Sequence, residues 1–249
     1  MIKKNIPNAL TCINLAFGFW GILFLVNGKI EEASYCIGCS LIVDFLDGFV
    51  ARLLHVSSPI GKELDSLADV VSFGILPSVM LTYMIASVTT GIPYERITEI
   101  NLFDAGIFTP YLLIATLPAM FSAARLAKFN LDTRQSDRFF GLPTPSNAII
   151  VCSFNLIAID TESVLFPLVH HLYFILGYCI LMSYLLISEI PLMALKFKDY
   201  TWKNNLYRYL LILSAIGLLI IFRKESILAI MTLFVVLSIF QNKSEYKAS

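Results

Sequence analysis

Four aspartates, Asp44, Asp47, Asp65 and Asp69, fall within DFLDGFVARLLHVSSPIGKELDSLAD, inside an otherwise strongly apolar chain. Asp44 and Asp47 are three residues apart and Asp65 and Asp69 are four apart, so on helices each pair shares one face. The linker HVSSPIG reads as a reversal, which makes the two helices antiparallel neighbours and aims all four carboxylates at a common point. Carboxylates that close repel one another unless a cation sits among them. Ligation by oxygen alone favours a hard divalent ion, Mg2+ or Mn2+, and four ligands suffice for two ions. Hard ions in such sites engage phosphates, so the expected chemistry is at a phosphoryl group. Gly48 and Gly61, with no side chains, would let a bulky ligand approach the helix backbone beside the ions.

A purely structural role explains only part of the set. Asp65 near the start of a helix could complement the helix dipole. Asp44 and Asp47 lie late in theirs, the wrong end for negative charge, and carboxylates within a membrane helix are costly enough that function is their default explanation.

The membrane setting follows from composition. Of the 249 residues 57% are hydrophobic and only 14% charged, and the mean hydropathy of +0.77 exceeds that of a soluble domain. Formal net charge is zero, so no global bias points to nucleic acid. Apolar runs near 8–27, 33–55, 64–90, 107–129, 146–160, 164–195, 206–222 and 226–241 compare with the roughly 20 residues needed to span a bilayer. The fold class expected is therefore all-α, a polytopic membrane helical bundle of about eight transmembrane helices. The first run lacks a small-residue cleavage site and is expected to remain in the mature protein.

With a cytoplasmic N-terminus, the inner side collects Lys3, Lys4, Arg52, Lys62, Arg125, Lys128, Arg134, Arg138, Lys196, Lys198, Lys203, Arg208, Lys243 and Lys247. The outer side keeps only Lys29, Arg96, Arg223 and Lys224, an asymmetry that sets the orientation and faces the aspartates to the cytoplasm. Cys36 and Cys39 form a lone C-x-x-C in an apolar run with no second ligand pair, so burial as small hydrophobes is expected. His55, at the inner end of the second run, and His170 and His171, in an apolar span toward the outer face, are expected to pack or to sit at the interface rather than ligate.

The aspartate stretch spells D-x2-D-G-x2-A-R-x8-G-x3-D-x3-D through Asp44, Asp47, Gly48, Ala51, Arg52, Gly61, Asp65 and Asp69. It resembles, at every specified position, the signature of the CDP-alcohol phosphatidyltransferases. The resemblance implies transfer of a phosphatidyl group from a CDP-linked lipid to an alcohol, with release of CMP. It implies that Asp44, Asp47 and Asp65 hold the metals and that Asp69 is the general base while also touching a metal. By the same resemblance Asn8, Thr11, Asp44, Gly48, Ala51, Arg52, Gly61 and Asp65 make up the CDP-lipid site. Arg52 has an alternative, holding the aspartate network or reaching lipid headgroups. For Asn8 and Thr11 the alternative is capping of the first helix, with Pro7 as the preceding turn.

The stretches IPNALTCINLAFGF, SFGILPS, ARLAKFN, GLPTPSN and LISEIP together resemble the serine-using, membrane-embedded branch of that family. This implies CDP-diacylglycerol and L-serine as substrates, a homodimer among membrane lipids, and a location in the cytoplasmic membrane. Arg125 is the candidate contact for the serine carboxylate or a phosphate, since a guanidinium pairs bidentately with either, and Asn130 is a weaker candidate. Lys128, Arg134 and Arg138 read as positive-inside or lipid-contacting charge. Pro143 and Pro145 fit a stiff helix entry. The first six spans, residues 1–195, are expected to form the catalytic core, with 196–249 an appended helix pair. Sibling enzymes using glycerol 3-phosphate or inositol phosphate share the signature. A divalent-cation transporter could also place aspartates in a membrane, but it leaves the glycines, Ala51 and Arg52 unexplained. The D-D-x-x-D cluster of aspartate-rich prenyltransferases and an H-x-K-x4-D pattern are both absent from the sequence.

Overall fold

A computed structural model describes residues 2–56, 58–102, 110–131, 139–193, 202–222 and 225–248. Arg134, Arg138, Lys196, Lys198, Arg223 and Lys224 lie outside the described residues. The long helices are α1 (Ile2–Val26), α2 (Ile30–Leu53), α3 (Pro59–Thr90), α4 (Pro110–Leu131), α5 (Thr144–Ile157), α6 (Leu172–Ile187), α7 (Trp202–Phe222) and α8 (Ser226–Ala248). α1, α3, α4 and α7 each contain a segment long and apolar enough to cross a membrane, and Thr144–Ile157, Leu172–Ile187 and Ser226–Gln241 are shorter apolar helices. The protein is thus an all-helical, multi-pass membrane bundle.

The turns follow local chemistry. Gly28, at φ 76, takes the left-handed conformation that reverses the chain between α1 and α2, a region glycine enters without steric penalty. Ser58 caps α3 by accepting from Gly61 N at 2.9 Å, with Pro59 at the first helical position. That cap starts the helix at residue 59, ahead of the apolar run that begins at 64. Gly91, at φ 71, ends α3.

α3 is the central helix, with 67% of its most apolar window buried. Phe73, Leu76, Met80, Leu81 and Ile85 pack into the core on that helix. α1, α4, α5 and α6 surround it. Between Val70 and Ile75 it widens into a π-helical turn directly after Asp69. A Cβ on Gly18 of α1 would lie 2.5 Å from Ser72 Oγ and 2.8 Å from Ser72 Cα, so α1 approaches the π turn as closely as backbones allow. α7 is the most exposed of the four long spans, with 11% of its window buried.

Three expectations change. The run 164–195 is not one span: Phe166–Val169 is a single helical turn, α6 covers Leu172–Ile187, and Pro191–Leu192 pairs as a short strand with Phe139–Phe140. Pro167 stiffens the turn and Ser188 leaves α6 in an extended conformation. His170 and His171 therefore precede α6 rather than sit within it. Asn8 and Thr11 are not caps, because α1 already begins at Ile2 and carries Pro7 inside it. Proline is tolerated there because the helix loses a hydrogen bond only near its start.

Candidate active site

The reversal between α2 and α3 brings the two aspartate pairs together. One carboxylate oxygen from each of Asp44, Asp47 and Asp65 lies within 4.8 Å of the others. Asp44 lies within electrostatic range of both Asp65 and Asp69, which places the fourth carboxylate beside the cluster. Asp47 and Asp69 are buried, and Asp44 and Asp65 are half-buried. α1 covers the cluster: Thr11 Oγ1 donates to Asp47 Oδ2 at 2.6 Å, and Asn14 Nδ2 donates to Asp69 Oδ1 at 3.2 Å.

The donor set fits hard divalent ions. Asp65 Oδ1 is buried with no hydrogen-bond partner. The ion pairs found among the described residues, Arg96–Glu99 and Lys128–Glu189, do not involve these aspartates. A cluster of acidic oxygens with an orphaned buried atom, and no ion pair to it among the described residues, is suited to Mg2+ or Mn2+. Among the described residues this is the one group of acidic, cysteine or histidine side chains close enough to hold an ion.

A cavity of about 530 Å³ opens beside the cluster, bounded by the starts of α1 and α3 and the end of α2. Asn8, Thr11, Asp47, Gly48, Ala51, Gly61 and Asp65 all line it, so most of the residues expected at a CDP-lipid site share one wall. Asp44 sits in the cluster itself rather than on that wall. Gly48 and Gly61 serve it differently. A Cβ on Gly61 would meet Asn8 Oδ1 at 2.9 Å and Ser58 Oγ at 3.0 Å, so glycine there lets α3 close against α1. A Cβ on Gly48 would meet only the Arg52 guanidinium, at 3.5 Å, which leaves bare backbone for a ligand. Arg52 is exposed and leans over Gly48 without lining the cavity.

Lys62 also lines the cavity, and its Nζ donates to the Asn130 carbonyl at 2.8 Å. In the sequence its charge reads only as positive-inside, because nothing in its spacing tells that the first turn of α3 faces α1. Asn130 ties α4 to α3, its Nδ2 donating to Ser66 Oγ at 2.9 Å and Glu63 Oε2 at 3.3 Å. Arg125 is buried rather than at the rim: it interacts electrostatically with Asp69, its guanidinium lies 5.8 Å from the Phe129 ring centre, and its Nε has no hydrogen-bond partner. Asn14 was missed as a site residue, although it stands in IPNALTCINLAFGF three residues after Thr11 on the same helix face.

Of the remaining candidates, His55 and His171 are exposed and the others pack. Cys36 is buried and unpaired, and Cys39 is also a free thiol. His170 stacks on Phe166 with ring centres 4.6 Å apart, and burial pushes its imidazole below the usual range while Glu95 opposes the shift.

The family model for CDP-alcohol phosphatidyltransferase matches residues 4–194. The CDP-diacylglycerol–serine O-phosphatidyltransferase of Helicobacter pylori strain J99 is 30% identical over 94% of this chain and 89% of its own length. The Bacillus subtilis protein of the same name is 33% identical over 63% of this chain and 81% of its own. The archaetidylserine synthase of Methanothermobacter thermautotrophicus is 30% identical over 63% of this chain and 60% of its own.

Proposed function

The chain belongs to the CDP-alcohol phosphatidyltransferase family, and from that premise we propose that it transfers the phosphatidyl group of CDP-diacylglycerol to the hydroxyl of L-serine, giving phosphatidylserine and CMP. The observation that carries the reading is the clustering of the four aspartates beside a 530 Å³ cavity whose wall includes Gly48, Ala51 and Gly61 of the same signature. The names of the relatives support serine as the acceptor.

Asp44, Asp47, Asp65 and Asp69 would hold two Mg2+ or Mn2+ ions, which when bound neutralise the diphosphate and stabilise the charge that builds on it. The chain's own groups do the rest. Asn8, Thr11, Gly48 and Ala51 offer an open, mostly uncharged wall for the cytidine diphosphate, and Lys62 adds a cation beside it. Asp69 accepts the proton of the attacking hydroxyl, whose oxygen bonds to the phosphorus bearing diacylglycerol. The bond from that phosphorus to the bridging oxygen breaks, and the electron pair leaves with CMP. Arg125 takes the serine carboxylate; Asn130, whose amide is engaged by Ser66 and Glu63, is the weaker contact.

We place the protein in the cytoplasmic membrane as a homodimer with the site facing the cytoplasm, with residues 1–195 as catalytic unit and 196–249 as an added pair. The positive-inside asymmetry supports the orientation. The test offers purified protein CDP-diacylglycerol and Mn2+ or Mg2+ with labelled serine, glycerol 3-phosphate or inositol, and follows CMP. Metal-dependent phosphatidylserine formation is the expected result. CMP release with another alcohol alone would keep the reaction class and remove serine, and no CMP from a folded preparation that carries metal flux in sealed vesicles would replace both with transport.

A further inference from the structure

Two buried polar atoms near Asp69 have no partner within the protein, and they are complementary in kind. Asn14 is fully buried, at 0% exposure, and its main chain is held by Ser40 Oγ and Ser72 Oγ, which donate to its carbonyl at 3.3 and 2.9 Å. Its Nδ2 donates to Asp69 Oδ1 at 3.2 Å. A carboxylate accepts and does not donate, so the amide nitrogen must face Asp69 and the amide oxygen must point elsewhere. That oxygen, Oδ1, has no hydrogen-bond partner. Arg125 of α4, only 8% exposed, is within electrostatic range of the same carboxylate, and its Nε is likewise unpartnered.

Burying an acceptor or a charged donor with nothing to bond is unfavourable, so such atoms are informative about what completes them. Asn14 Oδ1 calls for a donor, Arg125 Nε calls for an anion, and Asp69 between them calls for a hydroxyl. Neither Asn14 nor Arg125 lines the 530 Å³ cavity. Both are directed to Asp69 rather than to the cavity wall, so the reading that fits their unpaired atoms is the acceptor rather than the cytidine nucleotide. An alcohol whose neighbouring carbon carries both an ammonium and a carboxylate supplies all three groups.

We propose that Asn14 is an acceptor-binding residue, whose Oδ1 receives the ammonium of a hydroxy amino acid while Arg125 holds its carboxylate and Asp69 its hydroxyl. The inference rests on the serine reading and deepens it. Through Nδ2, Asn14 also positions Asp69. One amide thus couples acceptor recognition to orientation of the base.

The test uses the full-length protein in detergent with CDP-diacylglycerol and Mn2+, comparing L-serine with 3-hydroxypropanoate, which keeps the hydroxyl and carboxylate but lacks the ammonium. Asn14→Ala is expected to raise KM for serine by about tenfold or more and to leave KM for CDP-diacylglycerol within about twofold, as loss of a hydrogen bond to a charged group predicts. The penalty should shrink to about twofold or less for 3-hydroxypropanoate, which has no ammonium to lose. Thermal stabilisation by CDP that matches the wild type establishes that the variant is folded. An unchanged KM for serine in that folded variant, whatever its kcat, overturns the proposal, and so does an equal penalty for both acceptors. If Asn14→Ala does not fold, Asn14→Ser and the wild type carry the test. A wild type that accepts both acceptors with equal KM, or an Asn14→Ser with unaltered serine KM, overturns it. A wild type that releases CMP only with an alcohol lacking an ammonium overturns the serine reading as well, and is told apart because the unmodified chain is what fails.

Discussion

At the scale of single residues, the four aspartates differ in what surrounds them, and the difference predicts separable phenotypes. Asp69 is buried and held by Asn14, whereas Asp65 keeps an orphaned oxygen beside the cavity. Asp69→Asn keeps the shape and the neighbours but removes the proton acceptor. Turnover should fall by about 10²–10⁴-fold, the usual contribution of a general base, with CDP-lipid binding largely intact. Near-normal turnover in that variant would remove Asp69 as base. Asp44→Ala instead takes out a member within electrostatic range of both Asp65 and Asp69. It should abolish activity together with the thermal stabilisation that Mn2+ confers, and an unchanged melting response to Mn2+ would take Asp44 out of the ion site. Addition of a chelator to the wild type should reproduce the same loss of stabilisation reversibly.

At the scale of elements, the site depends on how closely α1 approaches the helices that carry the aspartates. Gly18 against Ser72 and Gly61 against Asn8 are contacts where a methyl group has no room. Gly18→Val should destabilise the protein by about 1–3 kcal/mol, the range of overpacked cores, because the obstacle includes backbone atoms that cannot swing aside. Gly48→Ala provides the contrast. Its added methyl meets only a flexible guanidinium, so thermal stability should hold while KM for CDP-diacylglycerol rises; a variant equally unstable and equally able to bind would show that Gly48 serves packing instead. The π turn at Val70–Ile75 belongs to the same scale, since it follows Asp69 directly and touches α1, α4 and α5.

At the scale of the whole molecule, the proposed orientation rests on charge. Lys62 and Lys128 fall with the cytoplasmic set, Lys29 and Arg96 with the opposite one. In a background freed of reactive native cysteines, Lys62→Cys should react with a membrane-impermeant maleimide only after the inner face is exposed, and Lys29→Cys in intact cells. The reverse pattern would put the site on the outer face. The helix pair α7–α8 is docked to the rest, with Met193 N donating to Ser238 Oγ of α8 at 3.1 Å. That contact ties the segment after α6 to α8, which also packs against α5.

The aspartate spacing of three and four, read with a reversing linker, was sufficient by itself to place the carboxylates on facing helices and to name hard cations and a phosphoryl group. Helix periodicity is a local property, so sequence order settles which residues share a face. The apolar runs likewise determined an all-helical membrane bundle, because a bilayer leaves few other ways to satisfy the backbone. The break in the run 164–195 was less legible, since hydropathy alone does not register where Pro167 and the extended Ser188 end a helix. What only the tertiary structure decided is which third helix covers the aspartates. Asn14 became part of the site, and Asn130 became a tie between α3 and α4, through packing between residues 55 and 64 positions apart. Contacts of that kind depend on crossing angle and close backbone approach, and these are set by the assembled core rather than by any local pattern.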